Sequence, residues 1–198
     1  MMQGTELSVV CDGLLSRIFH RPNENHNEGF VVAVTSAHPG AGVSYITNAL
    51  ASTLDPRFTS LLNGRNMAAG EMDYSFAGLP SVGRTSKFQP RDIPGRFFDN
   101  WHQMRIRVAE YLENARKQYR YVLIDCPSLR ESQHAVFLAP LVDGVVIIVE
   151  ANRTHKEQLF HAERTIENAR GRILGHVLNK RTYVVPNWLH RRMEAVGI

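Results

Sequence analysis

The segment of this chain best equipped for chemistry is a turn of small residues, Ala37-His38-Pro39-Gly40-Ala41-Gly42-Val43-Ser44. It joins an apolar run to a segment of helical period. Successive backbone N–H groups in such a turn, placed at a helix N-terminus, make a concave site for oxyanions, and the helix dipole favours the same charge. The pattern that holds nucleotide phosphates this way is G-x-x-x-x-G-K-[ST]. Against that pattern, Pro39, Gly40, Ala41 and Gly42 keep the turn. Ser44 keeps a hydroxyl able to reach Mg²⁺, and Tyr45 follows it. The lysine position holds Val43. An ammonium there bridges the β- and γ-phosphates and neutralises charge during transfer. A hydrogen bond to a charged group is worth about 1.5–3 kcal/mol, so its loss lowers affinity roughly ten- to a hundredfold. Catalysis falls further, because the cation matters most where charge develops.

A second polar group stands at the end of an apolar run, Asp125 after YVLI. It reads two ways, as the carboxylate that helps hold Mg²⁺ or as a structural hydrogen-bond acceptor, and the sequence leaves both open. His38 is either a phosphate contact or, more simply, a solvated turn residue. Arg65 and Lys87 are candidate replacement cations, against the plainer reading of solvated surface charge. The nine histidines show no ligand spacing, so metal binding by histidine is not expected.

The elements that must position these groups alternate. A short amphipathic helix is expected over 5–20, then a loop to Gly29. FVVAV (30–34) is an apolar, β-branched run suited to a strand buried on both faces. Ile46, Leu50 and Leu54 then repeat at helical steps over 43–54. A strand over 58–62 precedes a Gly-, Pro-, Ser- and Arg-rich stretch, 63–95, that is expected to be long loop. A helix follows over 97–118, with Trp101, Met104, Val108, Tyr111, Leu112 and Ala115 on one stripe. Further strands are expected at 121–124, 142–149 and 172–178. Helices are expected at 132–139, at 154–170 and from Pro186 onward. Such alternation predicts an α/β fold with a mostly parallel sheet and helices on both faces. Strand, glycine-containing turn and helix together form the opening unit of a P-loop NTPase fold.

Bulk properties narrow the class. At 198 residues the chain is expected to form a single domain, 1–198, with an N-terminal helix and loop over 1–29. Its composition, 43% hydrophobic and 21% charged, is ordinary for a globular protein, so no staple is required. A net charge of +4 without one basic stripe argues against nucleic acid. The basic tail (Lys180, Arg181, His190, Arg191, Arg192) is most simply a solvated face, with docking to an acidic surface as the alternative. Trp188 and Leu189 are expected in the core. Cys11 and Cys126 are expected to be reduced, in a cytoplasmic protein. No run reaches the ~18 apolar residues of a spanning helix.

Several segments together resemble the bacterial tyrosine kinases, the autokinases of capsule and exopolysaccharide synthesis. VVAVTSAHPGAGVSYITNALAST is similar to their Walker A segment and YRYVLIDCPSL to their Walker B strand. VDGVVIIVEANRTHKEQ and RILGHVLNKRTYVVPNWLHRR look like their C-terminal half. The resemblance covers roughly 30–193 and extends to the wider MinD/ParA-like group. It implies the P-loop fold, ATP and Mg²⁺ as ligands, and a chain-length-determining membrane protein (a polysaccharide co-polymerase) whose cytoplasmic tail is the partner. The departures are specific. The lysine falls on Val43, and a second acidic motif falls on LLNGRNM, placing Asn63 and Arg65 where carboxylates belong. The family's tyrosine tail is replaced by RRMEAVGI, and its N-terminal Glu/Arg repeat is not evident around Glu6. The expectation is therefore a pseudokinase without a resident cofactor, binding ATP and Mg²⁺ weakly at most. It would sit peripherally at the inner membrane through its partner, with homo-oligomers allowed. Two alternatives stay open: a weak ATPase or kinase using Ser44 and Asp125 with a substitute cation, and a MinD/ParA-like positioning protein.

Overall fold

The computed structural model describes residues 29–54, 59–63 and 97–181. Their elements are β1 (Phe30–Ser36), α1 (Val43–Thr53), β2 (Thr59–Asn63), α2 (Phe97–Gln118), β3 (Tyr121–Asp125), α3 (His134–Leu138), β4 (Gly144–Glu150), α4 (Lys156–Asn168) and β5 (Ile173–Asn179). Residues Val31 to Ser36 of β1 are all buried. A strand without polar alternation belongs inside a parallel sheet, and β1 is the middle strand of the order β2-β3-β1-β4-β5. Every pairing is parallel, so the sheet is wholly rather than mostly parallel.

Alternate residues of each strand feed two cores, one per face. Val31, Ala33, Val122, Ile124, Val145 and Ile147 meet Val108, Leu112 and Ala115 of α2, Ala135 and Leu138 of α3, and Ile166 of α4. Val32, Val34, Leu123, Val146 and Ile148 meet Ile46 and Leu50 of α1. Helices thus cover both faces, as the alternating pattern implies. Of the expected α2 stripe, Val108, Leu112 and Ala115 are buried, with Met104 and Tyr111 packed partly against them. The side chain of Trp101 lies outside the described residues.

Several boundaries differ from the periodicity by one or two residues, and two of them have a visible cause. β4 starts at Gly144 rather than 142, because Asp143 is used as a clasp. Its carboxylate accepts the Val31 N–H at 2.7 Å and pairs with Arg116. Arg116 also donates to the Gly29 carbonyl at 3.0 Å. The Gly29 N–H returns to the Arg116 carbonyl at 2.9 Å. A Cβ on Gly29 would fall 1.9 Å from the Tyr119 carbonyl oxygen, so only glycine fits where the end of α2 meets the start of β1. α3 is shorter than expected, since Ser128 accepts the Glu131 and Ser132 N–H groups and holds those residues in a turn. The expected helices over 5–20 and from Pro186, the 63–95 stretch, Cys11, Arg65, Lys87, Trp188 and the basic tail beyond Arg181 lie outside the described residues.

Candidate functional site: a phosphate-type loop at the carboxyl edge of the sheet

Parallel α/β sheets place their ligand sites beyond the carboxyl ends of the strands. Here β1 and β3 end together there. Val34 is in register with Asp125, and Asn63 at the end of β2 is in register with Asp125 from the other side. The extension of β3 stays tied to β1. The Cys126 N–H donates to the Val34 carbonyl at 2.9 Å, Thr35 Oγ1 donates to the Pro127 carbonyl at 2.7 Å, and the Leu129 N–H donates to the Ser36 carbonyl at 2.8 Å.

Between Ser36 and α1 the chain forms the loop. Gly40 and Gly42 have φ of 83° and 91°, a left-handed backbone that residues with a Cβ rarely adopt. A Cβ on Gly42 would also lie 2.3 Å from Asn179 Nδ2, so that glycine is required twice over. Four consecutive loop carbonyls are taken by side-chain donors. Ser36 Oγ donates to His38 O at 2.8 Å and His38 Nδ1 to Pro39 O at 3.0 Å. Lys180 Nζ donates to Gly40 O at 2.6 Å and Asn179 Nδ2 to Ala41 O at 2.8 Å. A carbonyl can only accept, so His38 Nδ1 carries the proton. Its Nε2 is hydrogen-bonded to Thr154 Oγ1 at 2.9 Å, and Thr154 accepts the Glu150 N–H.

The loop opens on a cavity of about 480 Å³. Pro39, Gly40 and Gly42 line it from the loop, and Val43, Ser44 and Tyr45 from the first turn of α1. Ser36, Asp125 to Ser128, and Glu131 line it from the sheet side. Seven of the eight residues expected at the site therefore share one cavity. Ala41 does not join them, because its side chain is fully buried in the core beneath the loop. His38 is neither solvated nor set against the cavity: it is 5% exposed and bonded inside the loop's support. Arg65 and Lys87, the expected replacement cations, lie outside the described residues.

The electrostatics divide the same way. Among the described residues lining the cavity there are two carboxylates, Asp125 and Glu131, and no lysine or arginine. Ser128 Oγ donates to Glu131 Oε2 at 2.8 Å. The cations near the loop do not line the cavity. Lys180 bonds the Gly40 carbonyl and Glu150 Oε1 at 3.1 Å, and Arg153 reaches Glu150 Oε2 at 3.4 Å. Burial pushes the Glu150 carboxyl up, but Lys180, Arg153 and His38 outweigh that and hold it below its ordinary value. Burial, reinforced by the charge of Asp125, pushes the Cys126 thiol far above its ordinary value, so it is not a nucleophile.

Tested against MgATP, this donor set fits in part. A serine hydroxyl and a carboxylate are the hard oxygen donors that Mg²⁺ takes, and Ser44 and Asp125 share the cavity. Loop amides suit phosphate oxygens. The balancing cation on the phosphate side is what the described lining lacks. Sequence reasoning missed Glu150, Thr154 and Asn179 and read Lys180 as part of a solvated basic face; all four hold the loop, from 112 to 140 positions downstream of their partners. The one local signal was that Glu150, Asn179 and Lys180 stand just past the carboxyl ends of predicted strands, while Thr154 opens a predicted helix.

Fold and site define an α/β domain of the P-loop kind, and comparison with known proteins narrows the class. No family model matches the chain. It is 37% identical over 76 residues to the succinoglycan biosynthesis transport protein ExoP of Rhizobium meliloti (strain 1021), covering 37% of this chain and 9% of that protein. It is 31% identical over 74 residues to the putative tyrosine-protein kinase CapB of Staphylococcus aureus, covering 37% of this chain and 32% of that protein. The chain thus spans less than a third of either relative in the matched region. In three dimensions it is similar to the kinase domain of the Escherichia coli tyrosine kinase ETK, with a TM-score of 0.64 and 14% identity over 90% of this chain and 78% of that one. The VpsO kinase domain gives 0.63 and 18%, over 90% of this chain and 96% of that one. The chain has the fold of these bacterial tyrosine kinase domains.

Proposed function

We propose that this chain is a catalytically degenerate relative of the bacterial tyrosine kinases. It serves as a regulatory or scaffolding partner in exopolysaccharide or capsule synthesis and export. Its partner is the cytoplasmic tail of a chain-length-determining membrane protein, which would hold it peripherally at the inner membrane. The observation that carries this reading is Val43, which lines the cavity at the position of the P-loop lysine while no described lysine or arginine lines it. Phosphoryl transfer depends almost wholly on positioning and on neutralising charge, so a site whose described lining has acidic side chains and no cation is poorly suited to it. The polysaccharide setting is supported by the likeness to a succinoglycan biosynthesis transport protein. Among the described residues no helix is long and apolar enough to cross a membrane, which agrees with attachment through a partner. Co-purification with a co-polymerase tail, together with absent tyrosine phosphorylation by the purified chain, is the expected result. Autophosphorylation with ATP and Mg²⁺ would sink the reading.

A second reading, a weak ATPase or kinase, is favoured by one observation: Ser44 and Asp125 open on the same cavity as the loop. It predicts turnover that disappears in Asp125→Ala. The degenerate reading predicts no turnover in either protein.

A further inference from the structure

The loop is held from outside the cavity, and the holding group is a lysine far along the chain. We infer that Lys180, anchored by Glu150, is the positioning residue of this loop. It keeps the loop's amide face turned to the cavity with no ligand present, and so preserves a receptor for a phosphate oxyanion in a chain without the loop lysine.

The argument starts from the peptide unit, which is planar and trans, so its N–H points opposite to its C=O. Lys180 fixes the Gly40 carbonyl and Asn179 fixes the Ala41 carbonyl. The Ala41 and Gly42 N–H groups are thereby aimed the other way. Gly42 lines the cavity whereas Ala41, Asn179 and Lys180 do not, so the Gly42 amide is the group left facing it. A donor on each carbonyl also polarises the N–H at the far end of the same unit, which strengthens it toward an anion. Without such bonds, two glycines at φ 83° and 91° are free to leave these values.

Lys180 is itself held for this task. Its φ is 56°, uncommon for a residue with a Cβ, and its N–H is bonded to Asn179 Oδ1 at 2.8 Å. That turn lets adjacent residues reach adjacent carbonyls. Glu150 is buried, and its Oε1 accepts from the ammonium at 3.1 Å. The inference goes beyond the degenerate-kinase reading and does not rest on it, since a loop can hold an oxyanion whether or not the chain transfers phosphate.

The test is hydrogen exchange on the ligand-free full chain, with calorimetric titration of pyrophosphate alongside. Lys180→Met is expected to speed exchange of the 37–44 amides by about tenfold while amides of β1 and β3 stay unchanged. Glu150→Gln should do the same to a smaller degree, and Lys180→Arg should restore protection. Pyrophosphate should bind the wild-type chain and bind Lys180→Met several-fold more weakly. Unchanged loop exchange in Lys180→Met overturns the inference. So does equal acceleration in β1 and β3, which would make Lys180 a general stability residue. Absence of pyrophosphate binding by the wild-type chain at millimolar concentration overturns the receptor.

Discussion

Restoring a cation at position 43 is the sharpest single-residue perturbation this site offers. Val43 lines the cavity and packs only partly against the core below it, so a lysine can keep its stem on that surface while its head enters the cavity. Val43→Lys should raise affinity for MgATP by about tenfold or more, measured by calorimetry. No gain would mean that the cavity rejects polyphosphate for another reason. Gly42 is the loop residue least able to change: alanine meets both the φ of 91° and the Asn179 amide. Gly42→Ala should cost about 1–3 kcal/mol, read as a lower urea midpoint. An unchanged midpoint would show that the loop can relax. At this scale the sequence was informative about the loop, because glycines, serine and the missing lysine are identities at fixed spacing. It was silent about what braces them. His38 looked like a solvated turn residue because its partner Thr154 is 116 positions away, and no local pattern encodes that separation.

Between elements, the most consequential contact away from the site is the clasp that ties α2 to the start of β1 and the turn before β4. Arg116 and Asp143 are largely buried, with side chains 11% and 19% exposed. Removing the carboxylate leaves Arg116 only the exposed Glu113 at 3.5 Å and the Gly29 carbonyl, so Asp143→Ala should destabilise by about 1–3 kcal/mol. A denaturant titration checks this, and a loss well under about 1 kcal/mol would mean that water replaces the carboxylate. The Glu150 contact between β4, β5 and the loop carries a pH signature. Its folded pKa lies below the ordinary 4.5. The unfolded chain therefore binds its proton first as pH falls. The stabilisation is complete above the ordinary value and is lost as pH drops through the depressed one. Glu150→Gln should flatten the acid limb of the stability curve, and an identical limb in both proteins would contradict the assignment. Element types were legible because buried parallel strands read as apolar runs and helices keep their own period. The start of β4 was not, since Asp143 looks like an ordinary strand-start residue until its clasp to Val31 and Arg116 is seen.

For the whole molecule, the wholly parallel sheet with helices on both faces followed from the alternation of runs, whereas the order β2-β3-β1-β4-β5 could not be read from periodicity alone. That order puts Asn63, Asp125 and the loop at one edge, gathering departures that are scattered through the sequence. If the chain works by docking rather than by chemistry, binding should survive damage to the cavity. A Ser44→Ala/Asp125→Ala double variant should capture the cytoplasmic tail of the membrane partner as well as the wild type does. Loss of capture would tie docking to the nucleotide site. The central claim is narrower still, that a phosphate-type loop without its lysine holds MgATP poorly. Its most direct test is calorimetric titration of the purified full-length chain with ATP and Mg²⁺. Binding weaker than about 100 μM with no turnover is the predicted result. Magnesium-dependent binding tighter than about 1 μM, accompanied by hydrolysis, would contradict it.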